Sequence, residues 1–160
     1  MTDHPTATPA LYVDADACPV KDEAVRVAER HELPIHFVSN SWMRLPESPL
    51  VNRVVVSDGA DAADDWIAER IGPRDIAVTA DIPLAARCLK RGAQAIGPTG
   101  KPFTEAGIGM ALAMRELSSH LRETGESKGY NAGFTRQDRS RFLEALELAV
   151  RRAVSTGTRP

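Results

Sequence analysis

Aspartates gather where short apolar runs end. Asp14 and Asp16 follow the run Ala10 to Val13, Asp58 and Asp61 follow Val51 to Val56, and Asp81 follows Asp75 to Thr79. Asp64 and Asp65 come one turn into the helical pattern that Asp61 begins; at 100° per residue Asp64 falls at the margin of the Ala63/Ile67/Ile71 stripe and Asp65 points further toward solvent. If these runs are strands of one sheet, their carboxyl ends bring the acids together. Carboxylates so placed repel one another, a cost that a shared divalent cation relieves. An all-oxygen donor set without histidine favours Mg²⁺ or Mn²⁺ over zinc or copper, and such ions suit phosphoryl transfer. The expected metal ligands are Asp14, Asp16, Asp61, Asp64 and Asp81, with Asp14 and Asp81 as the catalytic pair.

Each acid also has an ordinary reading. Asp16 stands before Pro19 and Asp81 before Pro83, which is how a helix start is commonly written, and acids in a first turn suit the helix dipole. Asp65 is left at that reading. Asp14 is different, because it ends an apolar strand, where an unpaired carboxylate is costly.

Cations form the complementary feature. From Lys128 to Arg141 the chain carries Lys128, Arg136, Arg139 and Arg141 against Asp138, whereas Ser57 to Asp65 holds four acids and no base. Arg139 and Arg141 sit in the first turn of a helical pattern, where positive charge opposes the dipole and an anion is the natural compensation. Arg136, Arg139 and Arg141, together with Lys101 in the loop Gly97 to Phe103, are candidate contacts for the phosphates of RNA or DNA; pairing of the arginines with Asp138, Glu144 or the acidic patch is the plainer alternative. Cys18 and Cys88 belong to no Cys-x-x-Cys pair, and Cys18 reads as a packing residue rather than a nucleophile. No basic interleaving surrounds Trp42 or Trp66, which read as packing or partner surface rather than as base-stacking platforms.

The elements that must position these groups follow from periodicity. Ala10 to Val13, Ile35 to Val38, Val51 to Val56, Asp75 to Thr79 and Ala93 to Ile96 read as strands. Helical spacing appears over Pro19 to Arg30, through Ala60, Ala63, Ile67 and Ile71, and over Asp81 to Lys90. The order β-α-β-β-α-β-α-β predicts an α/β fold, a mostly parallel sheet with helices on both faces. Ligands of such sheets bind beyond the carboxyl ends of the strands. A helical C-terminal extension follows: Glu105 to Leu121, a glycine-punctuated loop over Arg122 to Gln137, and a last helix capped by Asp138 with the stripe Phe142, Leu146, Ala149 and Val150.

The chain has 160 residues, a net charge of −2, 42% hydrophobic and 26% charged residues, which excludes wholesale disorder and coating of nucleic acid by bulk charge. One domain over residues 10–153 is expected, with a Pro/Thr-rich leader over 1–9 and a frayed tail over 154–160. No apolar run reaches membrane-spanning length and the start does not read as a signal peptide, so a cytoplasmic protein without a membrane partner is expected.

Five motifs occur in order: Val13-Asp-Ala-Asp-Ala-Cys-Pro-Val-Lys21, Asp61-Ala-Ala-Asp-Asp65, Thr79-Ala-Asp-Ile-Pro-Leu84, Gly100-Lys-Pro-Phe-Thr104 and Asn131-Ala-Gly-Phe-Thr-Arg-Gln-Asp-Arg-Ser-Arg-Phe142. Together, across Leu11 to Ala153, they resemble the YaiI/YqxD family of bacterial proteins, whose fold is similar to the PIN-like nucleases. The resemblance implies an acidic site around Mg²⁺ or Mn²⁺, with Asp14 as the first-strand acid, Asp61 or Asp64 as the helix acid and Asp81 as the later-strand acid. A metal-dependent phosphodiesterase acting on RNA or single-stranded nucleic acid is the resulting expectation. Two rivals stand beside it. Asp14-x-Asp16 after an apolar strand also resembles the nucleophile motif of haloacid-dehalogenase-type phosphatases, with Thr79 and Lys101 in phosphate-binding parts, and PIN-like folds include members that bind nucleic acid without cutting it.

Overall fold

A computed structural model describes residues 8–16, 18–57, 59, 61–124 and 134–157. Strands β1 (Leu11–Asp14), β2 (Ile35–Ser39), β3 (Val51–Val55), β4 (Ile76–Val78) and β5 (Gln94–Ile96) form a parallel sheet in the order β3-β2-β1-β4-β5. The apolar β1 is its centre, paired with β2 through Leu11 and Ile35 and with β4 through Leu11 and Ile76. Successive parallel strands need crossovers: helices α1 (Lys21–His31) and α3 (Ile82–Lys90) join the neighbours β1 to β2 and β4 to β5, α2 (Ala62–Arg70) carries the chain from β3 at the edge to β4, and a loop joins β2 to β3. The expected α/β sheet is therefore present.

Side-chain alternation divides the core in two. Leu11, Val13, Ile35, Phe37, Ile76 and Val78 face the layer that holds α1, while Tyr12, Val38 and Ala77 face α2 and α3. Asp14, two residues beyond Tyr12, has the same parity and belongs to the α2/α3 side of the sheet.

Two further helices follow, α4 (Glu105–Thr124) and α5 (Arg136–Gly157). Both run longer than their periodic stripes suggest. α5 begins before Asp138 because Thr135 and Asp138 cap reciprocally: the Asp138 N–H donates to the Thr135 hydroxyl and the Thr135 N–H to the Asp138 carboxylate, each at 3.0 Å. Its other end reaches Gly157, within the stretch 154–160 expected as a tail; residues 158–160 and 1–7 lie outside the described residues.

Nor is α5 an appendage. Phe142, Leu146, Ala149, Val150 and Ala153 are buried in the same cluster as α1 and the inner face of the sheet. Truncating a fully buried phenylalanine such as Phe142 costs about 3–5 kcal/mol. Glu147 of α5 binds Arg30 and His31 at the end of α1, each at 2.9 Å, while Arg139 reaches Pro19 and Glu23 at its beginning. The two helices thus run parallel, and both start at the carboxyl edge of the sheet. Among the described residues, no helix is long and apolar enough to cross a membrane.

Candidate active site

Three carboxylates converge at the carboxyl edge on the α2/α3 side. Asp14 ends β1 and is half-buried; its Oδ2 accepts the Thr79 hydroxyl at 2.8 Å. Burial raises its pKa, the Thr79 bond opposes that rise, and the charges of Asp81 and Asp16 add to it. Asp81 caps α3, its Oδ1 accepting the Leu84 N–H at 2.9 Å, with Pro83 in the first turn. The cap reading of Asp81 holds, and its charge still reaches the other two acids.

Asp64 is the most perturbed of the set. Burial, then the charges of Asp81, Asp14 and Asp61, push its carboxyl up to about 6, against a smaller opposing influence from Arg87. Arg87 itself is engaged by Asp65 at 2.8 Å. The helical-wheel distinction between the two acids is thus realised: Asp64 leans to the sheet edge, and Asp65 lies outside in an ion pair.

Asp61 occupies the exposed N-cap position of α2 without a side-chain capping bond. Asp16 is not the cap of α1, whose N-cap position is Val20. Its two oxygens instead accept the Asn40 N–H at 3.2 Å, tying the loop after β1 to the end of β2. Asp58 lies outside the described residues. Among the described residues, no three His, Cys, Asp or Glu side chains close into a ready-made metal cage.

Groups around these acids were less visible in sequence. Thr79 is buried and joins Asp14 to the backbone of Asp81, whose N–H donates to its hydroxyl at 2.9 Å. With that hydroxyl turned to Asp14, the residue acts as a brace. Pro98, with Asp14, Cys18 and Thr79, lines a small cavity of about 40 Å³. Cys18 is buried and burial raises its pKa, as befits a packing thiol. Lys21 donates to the Cys18 carbonyl at 2.7 Å, which fixes a cation beside the loop after β1.

The expected basic cluster divides. Arg139 is spent on structure: it donates to the Pro19 carbonyl at 2.8 Å, pairs with Glu23 at 3.2 Å and lies 4.9 Å from the Phe134 ring centroid. Neither Asp138 nor Glu144, the partners expected from sequence, is used. Arg136, Arg141 and Lys101 are exposed, and the last two line a groove of about 900 Å³ between β5, the loop after it and α5. Lys128 lies outside the described residues. The loop from Gly97 to Thr104, which carries Lys101, links the two regions: its Pro98 lines the small cavity beside Asp14 and its Gly100 packs on the Arg141 backbone of α5.

Trp42 and Trp66 each meet an arginine in the fold: Arg53 lies 4.8 Å from the Trp42 ring centroid and Arg70 4.2 Å from that of Trp66. The spacing Trp66 to Arg70 is one helical turn and was the available signal for the second contact.

Comparison with known proteins agrees with this frame. The family described as "Uncharacterized BCR, YaiI/YqxD family" matches residues 12–152. A UPF0178 protein of Parvibaculum lavamentivorans is 65% identical over 140 residues, covering 88% of this chain and 92% of the relative. Another, from Rhizobium etli, is 60% identical over 154 residues, covering 94% and 99%, and one from Agrobacterium fabrum is 60% identical over 144 residues, covering 90% and 94%. No solved structure matches the chain. The matched span begins within β1, at Tyr12, and takes in β2 to β5 and the aspartates at the strand ends, and by that match the chain belongs to the YaiI/YqxD family.

Proposed function

We propose that the carboxylate edge is a divalent-metal-dependent phosphodiesterase site acting on RNA or single-stranded nucleic acid. The observation that carries this reading is Asp64, whose carboxyl is pushed up to about 6 by burial and by the charges of Asp81, Asp14 and Asp61. A half-buried carboxyl whose proton affinity is raised by burial and by neighbouring acids is short of positive charge.

Mg²⁺ or Mn²⁺ suits this donor set in kind, since every candidate ligand is a hard oxygen. The open spacing suits it as well: Mg²⁺ characteristically keeps several waters and takes one or two carboxylates plus substrate phosphates, without a closed protein cage. Asp14 and Asp81 would hold the ion, with Asp64, Asp61 and Asp16 in the surrounding shell. When bound, it neutralises phosphate charge and makes hydroxide available near neutral pH.

The chain's own residues supply the remainder. Thr79 orients Asp14, and Asp64, with its raised proton affinity, is placed to take a proton from an attacking water. Lys101, Arg136 and Arg141 provide positive charge for the flanking phosphates. The engagement of Asp16 by the Asn40 N–H favours diester cleavage over the phosphatase alternative, which needs Asp16 as a free acid and base.

The test is cleavage of single-stranded RNA and DNA, beside a phosphate monoester, with Mn²⁺ or with chelator. Asp14→Asn should abolish diester cleavage and Asp65→Asn should leave it intact. Monoester turnover alone would favour the phosphatase. Binding of RNA without turnover would favour a noncatalytic module, and activity that survives in Asp14→Asn would identify a contaminant.

A further inference from the structure

Helix α4 is amphipathic the wrong way round for a lone chain. With residues placed every 100°, Ala106, Met110, Ala113, Met114, Leu117 and position 121, a leucine, share an arc of about 100°. Every charged position of the helix (105, 115, 116, 122 and 123) lies at least about 120° from Met110 on that wheel. Such a helix ordinarily buries the apolar arc. Here the described side chains of the arc face solvent: Met110 is 70% exposed, Met114 53% and Leu117 50%, and Ala106 and Ala113 are exposed too. Ile108, from the far side of the helix, is the residue that packs on the core beside α3.

We propose that this face is covered by α4 of a second copy of the chain, packed antiparallel about a two-fold axis between Ala113 and Met114. Outside the described residues the sequence carries two bulky apolar side chains, Met1 and Tyr130, fewer than this face presents. The face is, however, complementary to itself. A two-fold axis at that point sets Met110 against Leu117 and Ala113 against Met114, a large residue meeting a small one or an unbranched one in each pair. Small side chains at 106 and 113, with open space where a Cβ of Gly109 would stand, let the two backbones approach closely. Antiparallel packing also sets the two helix dipoles in favourable opposition. The face has no charge from Ala106 to Met114, so it lacks the flanking cations of a helix that lies on an anionic membrane.

A single helix pair buries less than a standard interface of roughly 1,200–2,000 Å². The association should accordingly depend on concentration, in the micromolar range. Light scattering and sedimentation of the full chain should show a monomer converting to a dimer as concentration rises. Met110→Glu with Leu117→Glu should hold it monomeric with unchanged circular dichroism and melting temperature, because both side chains already face water. Ala113→Cys should give a disulfide-linked dimer on oxidation, Cys18 and Cys88 being buried. A chain that stays monomeric at hundreds of micromolar, a dimer that survives the double glutamate variant, an Ala113→Cys dimer that fails to cross-link, or capture of the wild type by neutral lipid vesicles through this face would each overturn the proposal. None of these readouts involves cleavage, so they stand apart from the catalytic reading.

Discussion

Thr79 donates its hydroxyl to Asp14 at 2.8 Å and accepts the Asp81 N–H at 2.9 Å, so one buried side chain couples the acid that ends β1 to the acid that caps α3. Removing the hydroxyl without changing shape leaves Asp14 half-buried without that donor. Thr79→Val should cost roughly 1–3 kcal/mol in chemical denaturation. It should also raise the pH at which Asp14 ionises, read from its carboxyl carbon by NMR, since the lost bond is the influence that opposes burial. Thr79→Ser keeps the hydroxyl and should restore the ionisation pH. Unchanged stability and titration in Thr79→Val would remove the brace from the account.

Asp64 predicts a pH dependence of opposite sign to that of a salt-bridged acid. Its folded pKa of about 6 lies above the ordinary 3.8, so the folded state binds more protons than the unfolded state between those values. The stabilisation is complete below the lower value and is lost as pH rises through about 6. Metal-free protein should therefore melt lower at pH 7.5 than at pH 5 on account of this group. Asp64→Asn should raise melting at pH 7.5 by about a few degrees, with the two curves meeting near pH 4. Mn²⁺ should stabilise the wild type at pH 7.5, and by less in the variant. Parallel melting curves for the two proteins across pH 4 to 8 would contradict the coupling.

The basic residues divide into those that hold the fold and those left for a ligand. Lys101→Ala with Arg136→Ala and Arg141→Ala should weaken single-stranded RNA binding and reduce the salt slope by up to about 2, at roughly 0.7 per phosphate contact. Melting should change little. Arg139→Ala should do the reverse, lowering stability through its lost contacts with Pro19 and Glu23 while keeping most of the salt slope. Fluorescence anisotropy at several salt concentrations separates the two, and equal slopes in the triple variant and the wild type would deny these cations a role with phosphate.

Local rules made much of this legible from the chain. Alternation along β1 places Asp14 on the face of Tyr12, the helical wheel separates Asp64 from Asp65, and Pro83 marks Asp81 as a cap. What escaped the sequence depends on residues far apart in it. Asp16 looks like a helix cap until the parallel pairing of β1 and β2 brings Asn40 to it. Arg139 reads as a phosphate contact or as a partner of Asp138, Glu144 or the acidic patch until α5 lies along α1 and presents Pro19 and Glu23. The start of α5 was misplaced for a local reason: Asp138 reads as a cap, yet in a reciprocal capping box the acid stands three residues inside, and the cap is Thr135.

Gly100 holds the loop that links acids to cations. Its φ is +94°, and a Cβ there would stand 2.7 Å from the Arg141 carbonyl oxygen and 2.8 Å from its carbonyl carbon. Both atoms are helix backbone, so neither can swing aside as a side chain would. Gly100→Ala must either strain the turn closed by the Gly100 N–H and the Gly97 carbonyl or push α5 away from the loop. Gly92 separates the two causes, because its φ of +86° is similar while its nearest neighbour is the Pro73 side chain at 3.4 Å. Gly92→Ala should pay the backbone cost alone, about 1–2 kcal/mol. Gly100→Ala should lose clearly more in denaturant melts and should also weaken RNA binding, since Lys101 follows directly and Arg141 sits beneath. Equal losses in the two variants would mean that the loop can slide on α5, and Lys101 would then not be held in place by the contact of Gly100 with Arg141.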